Sequence, residues 1–217
     1  MISRDPYPIK AELFNAIKNN DADMMKKLLD AGADPNSCAG NGDPAVIAAV
    51  RKWNGYSFDP DPFLHCPPPN ILKILIDAGA DPNSVNKKDK LCRCALYWAA
   101  YELKINAVKT LILGGADVDK TDVRGKTAML AAAERGVLFN GKENCFAIDI
   151  MVMLIEAGAD INKRDERYAS AWDVLWNRSN QIAESNYKRF INAMPHIKRL
   201  RDEDSAGPGF TGYEFDI

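Results

Sequence analysis

Two histidines, His65 and His196, and five cysteines, Cys38, Cys66, Cys92, Cys94 and Cys145, are the residues of this chain best suited to nucleophilic, acid–base or metal chemistry. Cys66 follows His65 directly, which puts a thiol beside an imidazole, the pairing that activates a nucleophilic cysteine. With Cys92 and Cys94 the two would also make a set of zinc ligands. Neither idea goes far. Cys-x-Cys is not the usual zinc spacing, no third group is in place to orient the imidazole, and any histidine acid–base site has only two residues to draw on. No glycine-rich phosphate loop follows a strand pattern, and neither His-Glu-x-x-His nor Gly-x-Ser-x-Gly occurs. The expectation is a non-enzyme with no metal and no cofactor. A small Cys/His metal protein or hydrolase using His65, Cys66 and Cys145 is the remote alternative. An odd number of thiols without framework spacing fits a reducing compartment.

The elements that carry these residues announce themselves by repetition. Leu28 to Asn36 reads Leu-Leu-Asp-Ala-Gly-Ala-Asp-Pro-Asn, and the phrase returns at Leu75–Asn83, Leu111–Asp119 and Leu154–Asn162. Apolar residues at spacings of three and four lead into it: Met24, Met25, Leu28 and Leu29; Ile71, Leu72, Leu75 and Ile76; Val108, Leu111 and Ile112; Met151, Leu154 and Ile155. Such spacing gives a short helix one apolar face. Gly32, Gly79, Gly115 and Gly158 then stand where a helix end requires positive φ. The Asp that follows, with Asn or Asp two positions later, is turn chemistry. Upstream of each phrase, Ala16-Ile17, Ala48-Ala49, Ala99-Ala100 and Ala132-Ala133 mark a second helix with room for close approach. A lone helix pair of this kind cannot bury its apolar face, and stacking neighbours does so.

These residues resemble the ankyrin repeat family. Gly125-Lys126-Thr127-Ala128-Met129-Leu130-Ala131-Ala132-Ala133-Glu134-Arg135-Gly136 is similar to the opening Gly-x-Thr-Pro-Leu-His-x-Ala-Ala-x-x-Gly of that family's repeat, and the four Gly-Ala-Asp phrases are similar to its close. The resemblance covers about residues 9–200. No unit keeps Thr-Pro-Leu-His: the matching positions read Asp43-Pro44-Ala45-Val46, Cys94-Ala95-Leu96-Tyr97, Thr127-Ala128-Met129-Leu130 and Ser170-Ala171-Trp172-Asp173. On that alignment Asp43, Thr127 and Ser170 are expected to cap their helices. The fold implied is an all-α ankyrin-repeat solenoid of about five helix-turn-helix units. They span approximately 9–36, 37–83, 84–119, 120–162 and 163–200 within a single domain at 1–200, followed by an acidic, Gly/aromatic C-terminal tail at 201–217.

Composition limits the partners. The 217 residues carry a formal net charge of −2, and the pI near 5.8 argues against a nucleic-acid footprint, which calls for clustered basic surface. No apolar run approaches the roughly 18 residues of a membrane span, and Met1–Pro8 has no signal-peptide core. The expected location is the cytoplasm, or a host cytosol reached through a secretion system that reads other signals. Another protein is the expected partner, with no nucleic acid, membrane or small-molecule substrate, and the chain alone is expected to be monomeric.

Taken in order, residues 1–8 hold two prolines and are expected to be extended. The first unit has helices at about 10–19 and 22–31, and Lys10, Glu12, Lys18, Lys26 and Lys27 give it the polar outer face of an N-terminal cap. The helix-ending glycines lie 47, 36 and 43 residues apart, against a period of about 33 for this repeat. The excess locates insertions of 15 residues between the helices of unit two and 10 between those of unit four. The first, about Lys52–Pro69, mixes Trp53, Tyr56, Phe58 and Phe63 with five prolines; the second, about Gly136–Ala147, includes Phe139 and Phe146. The fifth unit is expected to have helices at about 170–180 and 184–194.

Two surfaces are candidates for binding. The inserted aromatics Trp53, Tyr56, Phe58, Phe63 and Phe139 leave the stack at one edge, where they either pack as a local satellite core or meet a partner. The resemblance implies the other surface, a concave face of turn tips and first helices. Lys87, Lys88, Lys90, Arg93 and Arg124 stand at the tips, and Trp98, Tyr101, Glu134 and Arg135 on the first helices. The function expected is a non-enzymatic protein–protein interaction module that binds, and masks or inhibits, a protein, as an inhibitor or immunity-type protein does. The alternative is an adaptor or secreted effector scaffold that recruits host proteins.

Overall fold

Each repeated phrase closes a helix, and the apolar stripes decide what that helix packs against. The computed structural model describes residues 6–52, 70–138 and 142–176, with side chains for 9–51, 71–136 and 146–175. Within them lie the helices α1 (Pro6–Asn19), α2 (Ala22–Asp30), α3 (Ala45–Lys52), α4 (Asn70–Asp77), α5 (Ala95–Tyr101), α6 (Ile105–Leu113), α7 (Ala128–Leu138), α8 (Lys142–Glu156) and α9 (Ala171–Trp176). Among the described residues the only strand-like pairings are two isolated antiparallel bridges, Cys38 with Pro44 and Val85 with Cys94.

Consecutive helices pair as α1/α2, α3/α4, α5/α6 and α7/α8, and the pairs stack. The first helices α1, α3, α5, α7 and α9 touch in a row, and the second helices α2, α4, α6 and α8 form a row behind them. Small residues permit the front row: Ala45, Ala95, Ala128 and Ala171 open α3, α5, α7 and α9 and are buried, as are Ala99, Ala100 and Ala131–Ala133. Leu75, Leu111, Met151 and Leu154 fill the seam between the rows. Met24, counted in the first apolar stripe, is exposed, while Met25 and Leu28 carry the burial.

The helix-ending glycines have φ of +93°, +90°, +83° and +91° at Gly32, Gly79, Gly115 and Gly158. At each, the next amide reaches back to the carbonyl of Leu28, Leu75, Leu111 or Leu154 at 2.9 Å, the Schellman closure of a helix. The phrase does more than end its own helix. Asp34, Asp81, Asp117 and Asp160 each accept the amide two residues on, which holds the Asn or Asp at the phrase end in place. Asn36 then accepts the Asp81 amide at 2.8 Å and donates to the Gly79 carbonyl at 3.1 Å. Asn83 repeats the pair of bonds on Asp117 and Gly115. Asp119 accepts the Asp160 amide but has no N–H to give. Units one to four are thus bonded in succession at the points where their second helices stop.

Three expectations need correction. Residues 6–8 are helical, not extended: Pro6 opens α1 and Pro8 lies in its first turn, where a missing N–H costs nothing. Asp43 does not cap α3. The amides of Ala48, Trp98, Ala131 and Val174 bond to the carbonyls of Pro44, Cys94, Thr127 and Ser170, so Pro44 holds the cap position and Asp43 stands one residue outside it. Thr127 Oγ1 accepts the Leu130 amide, and Ser170 and Asp173 form a reciprocal capping box, whereas Cys94 makes no side-chain cap bond. The third correction concerns unit four. Three residues separate its helices, as in unit three, and α7 and α8 are longer than α5 and α6 by four and six residues. The ten extra residues therefore lengthen the helices instead of forming a loop. The first insertion, the second helix of unit five and the tail lie outside the described residues.

Candidate protein-binding face

A tight turn precedes each first helix, and its chemistry places the side chains on the front of the stack. Two residues before each cap the backbone is left-handed: Gly42, Cys92, Gly125 and Tyr168 have φ of +90°, +51°, +76° and +59°. Three residues earlier, Asp89, Asp122 and Asp165 fold the turn by accepting the amides of Leu91, Arg124 and Arg167. Burial raises the Asp89 carboxyl, but the Leu91 amide and Arg93 outweigh it and hold it below the ordinary aspartate value. Neighbouring tips also bond directly, the Val123 amide to the Leu91 carbonyl and the Glu166 amide to the Arg124 carbonyl.

The residue before the cap and the residue eight positions on then face each other. In unit two they are Asp43 and Arg51, 3.0 Å apart; in unit four they are Lys126 and Glu134, at 2.6 Å. The polarity is reversed between the two. Unit three has Arg93 and Tyr101 there, and Arg93 turns instead to Asp89 at 3.2 Å and lies 4.3 Å from the centre of the Trp98 ring.

Unit three contributes the aromatics. Tyr97 stacks on Tyr101 with centroids 6.2 Å apart, and Trp98 stands edge-on to both. Arg51 from α3 lies 4.5 Å from the Trp98 centroid, and Arg135 from α7 lies 5.2 Å from that of Tyr101. Tyr97 is buried, which raises its hydroxyl pKa; Arg93 opposes the rise and Asp122 and Glu134 add to it. On the far side Arg167 reaches Glu134 at 2.7 Å and the buried Asp165 at 3.1 Å. Asn86, from the turn of unit three, donates to Asp43 at 2.7 Å. The cluster runs unbroken from α3 to the turn before α9, held by pairings between units.

Of the residues singled out in the sequence, Arg93, Trp98, Tyr101, Glu134 and Arg135 come together here. Lys87, Lys88 and Lys90 are exposed at the tip, with Lys88 Nζ bonded to the Gly40 carbonyl. Arg124 is at the next tip, paired with Glu166 at 3.4 Å. Arg93 is not part of that basic tip, because Asp89 and Trp98 draw it back onto the stack. Trp53, Tyr56, Phe58, Phe63 and Phe139 lie outside the described residues, as do His65, His196, Cys66 and Cys145. Cys94 is buried, which raises its thiol pKa, and among the described residues no cluster of three His, Cys, Asp or Glu side chains could hold a metal.

Sequence reasoning passed over Arg51, Lys126 and Tyr97 and gave Asp43 only a capping role. The readable signal was opposite charges eight residues apart at one repeat register, which the misplaced cap of unit two concealed.

Helix pairs stacked in two rows, with stereotyped turns at one edge, define a helical-repeat solenoid. Residues 66–165 match the family model for ankyrin repeats, in 3 copies. That stretch of the chain carries ankyrin repeats, and such repeats indicate a protein–protein interaction module of a family whose members are typically not enzymes. No curated protein matches the sequence. No helix among the described residues is long and apolar enough to cross a membrane.

Proposed function

We propose that the protein binds another protein through the face built from the turns and first helices of units two to five, and that it holds or masks its partner there. The observation that carries this reading is Trp98, half-buried on α5 with the guanidiniums of Arg51 and Arg93 beside its ring. Trp, Tyr and Arg are the residue types that dominate binding energy at protein interfaces, where rigid, partly desolvated side chains lose little entropy on association. Here Tyr101, Arg135 and Glu134 continue the same surface without a break. Lys87, Lys88, Lys90 and Arg124 extend it along the tips, and the aromatics Trp53, Tyr56, Phe58, Phe63 and Phe139, outside the described residues, are the further candidates for partner binding.

Masking follows from width. A partner lying across four units is covered over a broad area, and a module with no chemistry of its own acts on its partner by covering it. The test is affinity capture from a lysate of the source organism with the wild-type chain beside Trp98→Ala. A partner held by the first and lost by the second, with matching melting curves, supports the reading. Equal capture by both moves the site off this face.

A further inference from the structure

The charges on this face are layered, and the layering names a class of partner; this step rests on the face being the binding site. We infer that the face receives an extended acidic segment of a protein, whose carboxylates meet a row of arginines, Arg51, Arg93, Arg135 and Arg167. One arginine comes from each of units two to five, alternately from a first helix and from a turn. At both ends of the row the neutralising carboxylate lies underneath its base. The Arg51 side chain is 41% exposed above Asp43 at 7%, and Arg167 is 59% exposed above Asp165 at 0%. Glu134 is less covered, at 25%, but is bonded by Lys126 on both oxygens and by Arg167 on one. At both ends of the row the outermost charge is therefore cationic, in a chain whose formal net charge is −2, while Arg93 and Asp89 between them are about equally exposed, at 22% and 20%.

The arginines are also fixed before any partner arrives. Asp43 and Trp98 hold Arg51, Asp89 and Trp98 hold Arg93, Tyr101 backs Arg135, and Asp165 and Glu134 hold Arg167. A positioned guanidinium has a planar fork of donors that matches a carboxylate. Spacing gives the register. Packed helices stand about 8–10 Å apart and an extended chain advances about 3.3 Å per residue, so one carboxylate about every third residue would keep step with the units.

The probe is a labelled peptide of about a dozen residues with Glu at every third position among Gly and Ser, titrated into the full chain by fluorescence anisotropy. An isomer with the same glutamates contiguous, and a single-stranded oligonucleotide of similar length, run beside it. The spaced peptide is expected to bind about tenfold tighter than its isomer, and to weaken as salt rises. Arg51→Gln and Arg167→Gln should each reduce its binding severalfold, and Arg51→Lys and Arg167→Lys, which keep charge but lose the fork, should fall between. Equal affinity for the two isomers, or tighter binding of the oligonucleotide, would overturn the inference. So would a dimer that Arg51→Gln dissolves, which would assign the row to a second copy of the chain. If the lysate partner is lost with Trp98→Ala while the spaced peptide does not bind, binding through this face stands and only the acidic segment falls.

Discussion

Arg51, at the end of α3, holds its guanidinium 4.5 Å from the centre of the Trp98 ring on α5. That contact closes a circuit between two units. Asn86 in the turn of unit three binds Asp43, Asp43 binds Arg51, Arg51 lies on Trp98, and Trp98 carries Arg93, which returns to Asp89 in the same turn. The residues that make the front face adhesive are thus also those that fix unit two against unit three.

The circuit is measurable as coupling. Arg51→Ala and Trp98→Ala, alone and combined, should give a double-mutant coupling of about 0.5–1 kcal/mol in urea unfolding, the value of a partly exposed cation–aromatic pair. Strict additivity would mean that the ring and the guanidinium are neighbours without an interaction.

The stitching between units predicts opposite signs for two small changes. Asn83→Ala removes an acceptor for the Asp117 amide and a donor to the Gly115 carbonyl, at about 1 kcal/mol each. Asp119→Asn would add the donor that unit three lacks opposite Gly158 of unit four, and should stabilise by up to about 1 kcal/mol, seen as a Tm rise of about 2–4 °C. A lower Tm for Asp119→Asn would show that its charge matters more than the missing bond.

Adjacent glycines separate two kinds of cost. Gly115 has φ of +83° with open space where a Cβ would stand, so Gly115→Ala should cost about 1–2 kcal/mol of backbone strain alone. Gly114 has an ordinary φ of −81°, but a Cβ there would come within 2.8 Å of Ile76 Cγ2. Ile76→Ala, which removes that methyl, should therefore cost less in the Gly114→Ala background than in the Gly115→Ala background. Chemical denaturation of the four variants checks both.

Acid should loosen the turn before α9. Burial raises the Asp165 carboxyl, but the amides of Ala169 and Arg167 and the Arg167 guanidinium outweigh it and bring it below the ordinary value. A carboxyl lowered by folding contributes stability above its unfolded pKa, near 4, and loses it as pH falls through the folded value. The Tm gap between wild type and Asp165→Asn should be full at neutral pH and close as pH drops below about 4. A gap that stays constant across that range would remove Asp165 as its source.

Much of the fold was legible because the signals were local and repeated. Gly32, Gly79, Gly115 and Gly158 end helices for a reason that each position states by itself, and the apolar spacing ahead of them fixes which face is buried. What escaped was set by register between distant segments. Asp43 looks like a cap until the Ala48 amide is seen to bond to Pro44, and only then does Arg51 fall opposite Asp43 as Glu134 falls opposite Lys126. Residues 136–138 and 142–147 read as an insertion by length, although the same length simply prolongs α7 and α8. Asn36, Asn83 and Asp119 were visible as turn residues, yet their bonds to the next unit span 34 to 45 residues of sequence. The site was half-readable for the same reason: Trp98, Tyr101 and Arg135 stand out by type, whereas the carboxylates beneath the arginines are chosen by the fold.

The direct test of the front face compares partner affinity for Tyr101→Ala and Leu113→Ala. Tyr101 lies in the cluster; Leu113 ends α6 in the second row and is 79% exposed. Binding to the captured partner should weaken at least about tenfold for Tyr101→Ala, as for an interface anchor, and remain unchanged for Leu113→Ala. The reverse pattern, with Leu113→Ala weakened and Tyr101→Ala unaffected, would place the partner on the second-helix row and contradict the account.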